Sequence, residues 1–382
     1  MKDKIKKLFT SNSYVNDKIY RIAGNRRRKL LEEKNKILGR QDYLESIDDL
    51  KCFRKAVSDD KEIFFTYDAN WSNAHIYGIW DSMFGNFSQY KICEMPSVEH
   101  GLILYDDIFT DVRYTGRKTV CTFSDFRKNI IQKYRNIPVF TVGPYINYAK
   151  DFYDQDKLLE LKKKFGRTLL VFPTHSTDAC SITVNQQKFI NMLENEAKGF
   201  DTVLINTFWW NINDPLTQKL ESEGYKIISC GFRDDTSFLP RLKSYINLAD
   251  QVIGDSVGTH IGYCIALNKP FRYFNLNTEM NINESESNKL DFVTKNSNKI
   301  KESFLDSTSI GQKEIEICNY YWGNNIKRTE LELKSIAEMS VELTRNKHGY
   351  SYKSLSDYQK LLDKYKAEDE IKYKLLKQAI KS

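Results

Sequence analysis

The 382-residue sequence lacks several features that would assign it at once to a class of protein. It has no run of about 18 apolar residues, so we expect no membrane-spanning helix. The charged start MKDKIKKLFT is not followed by an apolar stretch and a small-residue cleavage site, so we expect no secretory signal. The G-x-G-x-x-G fingerprint of dinucleotide-binding proteins is also absent.

Disulfides and zinc sites are equally unexpected, because the seven cysteines are scattered singly and no C-x-x-C pair occurs. Several cysteines lie inside apolar runs, where this residue behaves as a small hydrophobe. Such usage is typical of a reduced, cytoplasmic protein. Apolar residues make up 41% of the chain and aromatic residues 13%, which is enough for packed cores, and the length favours two domains.

Positive charge is concentrated at the start of the chain. Residues 1–40 contain 13 Lys and Arg against four Asp and Glu, so the rest of the chain carries about −2 of the total +7. This distribution argues against a nucleic-acid groove across the whole fold. It predicts a basic helical arm that contacts an anionic membrane surface or an acidic partner, with a solvated helical face as the alternative.

Apolar runs alternate with helix-length amphipathic segments along most of the chain. The runs lie at 62–66, 90–95, 118–123, 137–142, 167–172, 201–206, 225–230, 250–254 and 270–274. Strands that alternate with helices indicate βαβ units and mainly parallel sheets. We therefore predict an α/β fold with two Rossmann-like doubly wound domains and charged helical extensions at both ends.

The predicted division of the chain has four parts. They are a basic helical arm (1–60), an N-terminal Rossmann-like domain (61–150), a C-terminal Rossmann-like domain (151–280) and a charged helical tail (281–382). We expect part of the tail to pack back on the N-terminal domain.

Polar residues follow the predicted strands, at the edge where open α/β sheets bind ligands. Four of the five histidines lie in these turns, namely His75, His100, His175 and His260. Because so many of the few histidines fall in so small a part of the chain, we interpret them as functional. Each taken alone would more often be a structural residue.

The segment GDSVG at 254–258 has the G-x-S-x-G pattern of a hydrolase nucleophile elbow. A hydrolase needs its acid and then its histidine after the serine, but only His260 and His348 follow. His260 lies in the helix that the elbow would start, and His348 lies in the charged tail. Since only one strand follows as well, we reject a catalytic serine.

The same letters describe a strand, a turn and a helix N-terminus, where free amides and the helix dipole attract phosphate. We therefore predict a donor phosphate site in the second half, with an ordinary helix cap as the alternative. Its candidate residues are Thr174, His175, Ser176, Arg233, Asp255, Ser256, Gly258, Thr259 and His260.

In the first half, Glu99 and His100 are the candidate general bases, because such groups can take the proton of an acceptor hydroxyl. A helix-capping glutamate beside a buried histidine is the alternative. Candidate contacts to the acceptor or the sugar are Asn70, His75, Trp209 and Trp210, and core packing is the alternative for one of the tryptophans.

The adjacent carboxylates at 106–107 and 234–235 offer a divalent-cation site, but loop carboxylates are usually just solvated. We therefore expect no metal and no cofactor.

Three segments resemble known enzyme families. LLVFPTHSTD and ADQVIGDSVGTHIGYCIALNKPFRYF are similar to signatures of bacterial capsule and lipopolysaccharide transferases. They also resemble the CDP-glycerol phosphotransferases of teichoic-acid synthesis, in which a strand-Asp-Ser turn and a Lys-Pro strand close the donor site. VEHGLI resembles the E-x-G loop of UDP-GlcNAc 2-epimerases.

As architecture, residues 60–280 resemble GT-B glycosyltransferases, which implies a nucleotide donor in 151–280 and an acceptor in 61–150. The donor domain lacks the E-x7-E element of common retaining enzymes, so the resemblance implies an inverting, metal-independent glycosyltransferase. In it Glu99 or His100 takes the acceptor proton, and the turn at Ser256 holds the leaving phosphate. Arg233 pairs with the diphosphate or with a carboxylate of the donor.

The partners implied are a nucleotide-sugar donor and a glycan or lipid-linked acceptor of bacterial surface polysaccharide synthesis, at the inner face of the membrane, with no nucleic acid. Three alternatives stay open. They are a nucleotide-sugar epimerase or modifying enzyme, a CDP-alditol phosphotransferase, and a non-catalytic nucleotide-sugar-binding scaffold.

Overall fold

The structure is a computed structural model of the whole chain. It describes residues 38–58, 76–87, 89–91, 94–108, 112, 117–176, 182–183, 185–276, 279–280, 287–305, 307–346 and 355–380. Most of the predicted basic arm, the predicted strand at 62–66 and the candidate contacts Asn70 and His75 lie outside the described residues.

Helices and strands alternate over most of this length. The α-helices are α1 (Asp48–Ser58), α2 (Ile79–Phe84), α3 (Asp125–Tyr134), α4 (Gln155–Phe165), α5 (Gln186–Glu196), α6 (Pro215–Ser222), α7 (Phe238–Leu248), α8 (Thr259–Ala266), α9 (Ser287–Phe304), α10 (Gln312–Trp322), α11 (Glu330–Arg345), α12 (Gln359–Glu368) and α13 (Glu370–Ile380). The strands are β1 (Ser97–Val98), β2 (Val120–Thr122), β3 (Val139–Thr141), β4 (Thr168–Phe172), β5 (Ile182–Thr183), β6 (Thr202–Asn206), β7 (Lys226–Ile228), β8 (Gln251–Gly254), β9 (Phe271–Tyr273) and β10 (Glu279–Met280).

The sheet of the second half is five-stranded and parallel, in the order β7-β6-β4-β8-β9. The chain enters it at β4, adds β6 and β7 on one side, and then crosses over to add β8 and β9 on the other. This is the strand order of a doubly wound sheet. Every residue of β4 is buried, because helices cover both faces, and this burial explains the continuous apolar run in its sequence.

Helices that cover this sheet begin where the sequence supplies a capping side chain. Asp154 accepts a hydrogen bond from the Lys157 amide at 2.8 Å, and α4 follows it directly. Asn185 accepts from the Lys188 amide at 3.0 Å ahead of α5. A side-chain oxygen at this position satisfies one of the amides that the first helical turn leaves without a partner.

The first half contains a parallel sheet in the order β1-β2-β3. The predicted strands at 118–123 and 137–142 are confirmed as β2 and β3. Of the predicted strand at 90–95, residues 92–93 lie outside the described part of the chain and the other four are not in a strand; β1 begins only at Ser97. The β1 strand is two residues long and one of them is a serine, so no apolar run marks it.

The C-terminal helices pack on both halves. On the second half, the Trp322 indole of α10 lies against Gly262 of α8, where the Cβ of any other residue would clash with it. On the first half, the Thr119 hydroxyl donates to the hydroxyl oxygen of Ser340 in α11 at 2.8 Å. These helices therefore connect the two sheets.

The predicted mixed α/β class with parallel sheets is confirmed. The doubly wound order holds for the second sheet, whereas the first sheet shows three strands in chain order, so a pair of Rossmann-like domains stays a prediction. Among the described residues, no helix is both long and apolar enough to cross a membrane.

Candidate functional site

The candidate site begins where β4 and β8 end side by side. The chain continues from β4 to β6 on one side of this pair and from β8 to β9 on the other side. The loops that follow β4 and β8 therefore diverge and leave a crevice between them. One hydrogen bond ties these loops together, since the Thr174 amide donates to Asp255 Oδ1 at 2.6 Å. The predicted donor site therefore lies at the switch point of the second sheet.

Asp255 was predicted among the phosphate-binding residues, and its surroundings point to a different role. The residue is 5% exposed, and burial raises the pKa of its carboxyl, with the Thr174 amide partly offsetting that effect. Its Oδ2 atom makes no hydrogen bond within the described part of the chain. Because a buried carboxyl tied to a neighbouring amide does not attract phosphate, Asp255 is a positioning residue that joins the two loops.

An open helix N-terminus follows directly. Gly258 is the N-cap of the eight-residue helix α8 and makes no side-chain capping bond. The first amides of a helix have no acceptor within it, and they carry the positive end of the helix dipole. Thr259 does not cap them, because its Oγ1 accepts from the Leu102 amide at 2.9 Å. Half-buried Ser256 is the hydroxyl of this turn, which therefore has the donors of an anion site.

His260 lies beneath this turn in an aromatic environment. Its ring stacks on Phe172 with centroids 4.8 Å apart and meets the edge of Phe271 at 5.3 Å. Burial lowers the pKa of His260 to about 3, and nearby His175 contributes in the same direction. The imidazole is therefore neutral near pH 7, so it supplies no positive charge to the predicted phosphate site. The buried Nε2 atom of His260 has no hydrogen-bond partner among the described residues. A hydrogen bond from this neutral ring to a ligand therefore stays a prediction.

The same ring also explains Gly258. A Cβ there would lie 2.9 Å from His260 Nδ1, so close packing of the imidazole requires glycine. The sequence assigned this glycine to the close approach of a phosphate. In the structure, a neighbouring side chain is a sufficient reason for it.

His175 and Ser176 lie on the other side of the β4 loop, at a cavity of about 210 Å³. The His175 ring stacks on Phe208 with centroids 4.3 Å apart. Thr174, Thr207 and Asn211 line the same cavity, and none of its lining residues is a lysine or an arginine. The cavity thus offers uncharged hydrogen-bonding groups, an aromatic pair and one carboxylate, that of Asp214, while the open amides of α8 have the donors of an anion site.

The two tryptophans differ in their surroundings. Trp209 is 1% exposed and packs against Phe232, with ring centroids 4.7 Å apart. It belongs to the core, so a sugar contact does not fit its position. Trp210 is half-buried, and the Arg54 guanidinium lies 3.9 Å from its ring centroid, so a cation already covers one of its faces.

Glu99 is a buried ion-pair residue, and this corrects its assignment as a candidate base. Its carboxylate accepts from Arg127 Nη2 at 2.7 Å, from Arg127 Nε at 3.2 Å and from the Thr122 hydroxyl at 2.6 Å. Both charged side chains are 0% exposed. An acceptor hydroxyl cannot reach this carboxylate without breaking the pair, so the alternative of a structural glutamate describes Glu99 better.

The residues after Glu99 contact, from the first half, the turn at 254–258 and the start of α8, which we call the donor turn after its predicted role. The Leu102 amide donates to Thr259, and a Cβ on Gly101 would lie 2.6 Å from Thr259 Oγ1, where the φ of +153° also favours glycine. Half-buried His100 immediately precedes this contact. The carboxyl edges of the two sheets therefore meet at the N-terminus of α8.

Arg233 lies where the two halves also touch. Its carbonyl accepts from the Tyr77 amide, and its guanidinium lies 3.7 Å from the carboxylate of Asp234. The pairing of Arg233 with a diphosphate stays a prediction.

The two aspartate pairs have cationic neighbours. Asp106 pairs with Lys133 at 2.7 Å, and Asp235 pairs with buried Arg241 at 2.6 Å. Across the described residues, no group of three or more His, Cys, Asp or Glu side chains is arranged to hold a metal ion.

Sequence reasoning missed Arg127, Thr122, Phe172 and Phe208. Only Arg127 carried a signal, because it lies three and four residues before the buried residues at 130 and 131, on the apolar face of α3. A charged residue on a buried helix face needs a partner of opposite charge. That requirement could have pointed to Glu99.

Comparison with known proteins gives a coarse similarity of fold. No family model matches the chain, and no curated protein matches it. Among solved structures, the wall teichoic acid polymerase TagF matches with a TM-score of 0.36 and 13% identity, over 61% of this chain and 59% of that chain. A histidine-to-asparagine variant of TagF soaked with CDPG matches with a TM-score of 0.34 and 11% identity, over 60% and 58%.

The match spans less than two thirds of the TagF chain. TagF is named as a wall teichoic acid polymerase, and teichoic-acid synthesis is also where the phosphotransferases of the sequence resemblance act. At TM-scores below 0.5 the likeness carries no conclusion about the activity or substrate of this chain.

Proposed function

We propose that this protein is a glycosyltransferase that moves a sugar from a nucleotide-sugar donor to a hydroxyl group of a glycan or lipid-linked acceptor, in bacterial surface polysaccharide synthesis. The observation that carries the proposal is the contact between the Leu102 amide and Thr259. It brings an open helix N-terminus of the second sheet and a histidine-bearing loop of the first sheet to one place. The proposal also takes the two halves as the donor and acceptor domains of a GT-B enzyme.

The donor side must stabilise negative charge on the leaving group. Glycosyl transfer breaks the bond between the sugar C1 and the phosphate oxygen, and charge develops on the departing nucleoside diphosphate. The uncapped amides at the start of α8 and the Ser256 hydroxyl are suited to hold that charge. The cavity beside His175, which is lined by Asp214 and by no lysine or arginine, suits a part of the donor that carries no negative charge.

The acceptor side needs one base. Because Glu99 is engaged with Arg127, His100 is the remaining candidate. Its imidazole takes the hydroxyl proton while the acceptor oxygen attacks C1 from the face opposite the leaving phosphate. The products are the glycoside, the nucleoside diphosphate and a protonated His100, so one displacement inverts the configuration at C1. In this proposal His100 takes the acceptor proton and the start of α8 holds the charge of the leaving group, so the step needs no metal. Excess EDTA should leave the rate unchanged.

Nucleotide binding is the first test. We expect CMP, CDP, UDP or GDP to raise the melting temperature, because a ligand at about 100 times its Kd stabilises the folded state by about 2.7 kcal/mol. Ser256→Asp, which adds a negative charge to the turn, should abolish the shift, and Ser256→Asn is its neutral control of equal size. The donor site would be refuted by no shift with any nucleotide, or by equal shifts in both variants.

Turnover is the second test. Wild-type protein, a panel of nucleotide sugars and a bacterial membrane fraction as acceptor should give labelled polysaccharide and free nucleoside diphosphate. His100→Asn should lower the rate by about 10²–10⁴-fold while nucleotide binding persists. Turnover of donor without acceptor would indicate an epimerase. If CDP-glycerol is the only donor that reacts, the transferred group is a glycerol phosphate. If the His100→Asn variant is active, His100 is not the base.

The basic arm belongs to the same proposal. We place residues 1–40 against the anionic inner leaflet, where each cation contributes about 1 kcal/mol near the surface. Deleting residues 1–37 should reduce sedimentation with phosphatidylglycerol vesicles. If the deletion leaves the fraction bound to vesicles unchanged, the proposed membrane contact is wrong. The proposed transferase activity does not depend on that result.

A further inference from the structure

A second cavity lies away from the donor turn, at the end of β3. Its volume is about 490 Å³, and it opens between the start of α3, the segment 325–328 and α13. The residues of its wall that matter here are Asp125, Lys128, Thr141, Lys327, Arg328 and Gln378. None of them is a residue of the proposed donor site.

Positive charge dominates this wall, which has three cations and one carboxylate among its lining residues. Two of the cations are held by neutral oxygens. Arg328 Nε donates to the Thr141 carbonyl at 2.9 Å, and Lys128 Nζ donates to the Gln378 carbonyl at 2.7 Å. A carbonyl fixes the position of a cation without cancelling its charge, so both groups are pre-ordered for an anion.

Neighbouring carboxylates offset only part of this charge. Glu332 lies 3.2 Å from Arg328 Nη1, and the carboxylate of Asp125, which is 72% exposed, lies 3.7 Å from Lys128 Nζ. Lys327 is exposed and has no hydrogen bond or ion pair with any described residue. One full positive charge therefore stays uncompensated beside two fixed cations.

The start of α3 adds to the attraction for an anion. The Ser124 hydroxyl precedes this ten-residue helix but donates to the carbonyl of Tyr320 at 2.8 Å, so it does not cap the helix. The first amides of α3 and the positive end of its dipole consequently face the same region as Asp125. A phosphate in this cavity would meet a guanidinium, two ammonium groups and the start of α3, opposed by one carboxylate, that of Asp125.

We propose that this cavity binds a phosphate-bearing ligand, distinct from the nucleotide donor. Planar guanidinium groups and lysine ammonium groups are the usual partners of phosphate oxygens. A soluble phosphate ester and the phosphate of a lipid headgroup share this chemistry. Because the site rests on its own contacts, it stands or falls independently of the proposed transferase activity.

The test measures binding to both sources at low salt. Glycerol 3-phosphate is titrated by calorimetry, and phosphatidylglycerol vesicles are compared with phosphatidylcholine vesicles by sedimentation. Lys327→Glu should weaken binding about tenfold, which corresponds to about 1.4 kcal/mol. The matched control is Lys163→Glu on α4, an exposed lysine with the same change of charge, and it should leave binding close to that of the wild type. Binding of phosphate at the donor turn is common to both variants and cancels in the comparison.

Selective loss in the soluble arm assigns the cavity to a phosphate ester, and selective loss in the vesicle arm assigns it to a lipid headgroup. Either result supports the site. Equal affinity of the two variants in both arms overturns it, as does a wild-type protein that binds neither probe. Circular dichroism checks folding, and Lys327→Ala, which removes the charge without reversing it, should give a smaller loss in the same arm.

Discussion

Replacing Glu99 by glutamine separates a structural role of this residue from a catalytic one. The substitution keeps the shape of the side chain but removes the charge opposite Arg127, which is fully buried. Removing one partner of a buried ion pair costs about 3–5 kcal/mol, because the other charge is left uncompensated. The carbonyls of Tyr105 and Asp107 still accept from the guanidinium at 2.7 and 3.2 Å, so we expect a value near the lower limit.

Urea unfolding, followed by far-UV circular dichroism and by tryptophan fluorescence, measures this loss, and coincident transitions establish two-state behaviour. Arg127→Met should destabilise the protein by a similar amount, because it leaves the carboxylate with only the Thr122 hydroxyl. The double variant Glu99→Gln/Arg127→Met should lose much less than the sum of the two, since no unpaired charge remains.

Activity per folded molecule completes the experiment. Folded Glu99→Gln protein should retain transfer within a few-fold, whereas His100→Asn should lose it with less than about 1 kcal/mol of stability. The reasoning is refuted if Glu99→Gln unfolds at the wild-type urea concentration and yet forms no product. That combination would make Glu99 the base and its bond to Arg127 dispensable.

Three further substitutions test the contacts around α8. Thr259→Val keeps the size of the side chain but removes the acceptor of the Leu102 amide, so stability should fall by about 1 kcal/mol and calorimetry should show weaker nucleotide binding; unchanged values would refute the contact. The pKa of His260 is about 3 in the folded protein and 6.5 in the unfolded chain, so between these pH values the unfolded chain binds one more proton. The stability of the wild type should therefore fall as pH drops through that window, by up to about 1.4 kcal/mol per pH unit. His260→Phe should give a flatter pH profile in urea unfolding, and parallel profiles would contradict the assignment. Gly262→Ala should cost about 1–3 kcal/mol, because its methyl group meets the Trp322 indole; an unchanged unfolding midpoint would argue against tight packing there.

The second sheet and its donor turn could be predicted because their signals are local. A buried parallel strand such as β4 must be apolar along its whole length, and the glycines and polar residues of 254–258 mark the turn that follows β8. Strand order follows from the preference for right-handed crossovers and short connections, which leave few topologies for such a chain. Local periodicity was therefore sufficient to locate the turn between β8 and α8, where we propose the anion site.

The first half could not be predicted to the same depth, because its site depends on contacts between distant residues. Glu99 and Arg127 are 28 residues apart, and Leu102 and Thr259 are 157 apart. The Leu102 bond uses a backbone amide, which every residue except proline possesses, so the residue type at 102 does not predict it. A carboxylate beside a histidine in a loop looks the same in sequence whether it faces a cleft or a buried guanidinium.

The geometry at the donor turn also depends on a helix that no motif singled out. On α10, the Tyr321 ring packs edge-on against Phe126 of the first half at 5.0 Å, while the next residue, Trp322, lies against Gly262 of the second half. Adjacent residues of one rigid helix thus hold α3 and α8 at a fixed separation. The proposed role of His100 as the base requires its loop to stay against the start of α8. On that proposal, a change at Gly262 should alter the catalytic rate as well as stability.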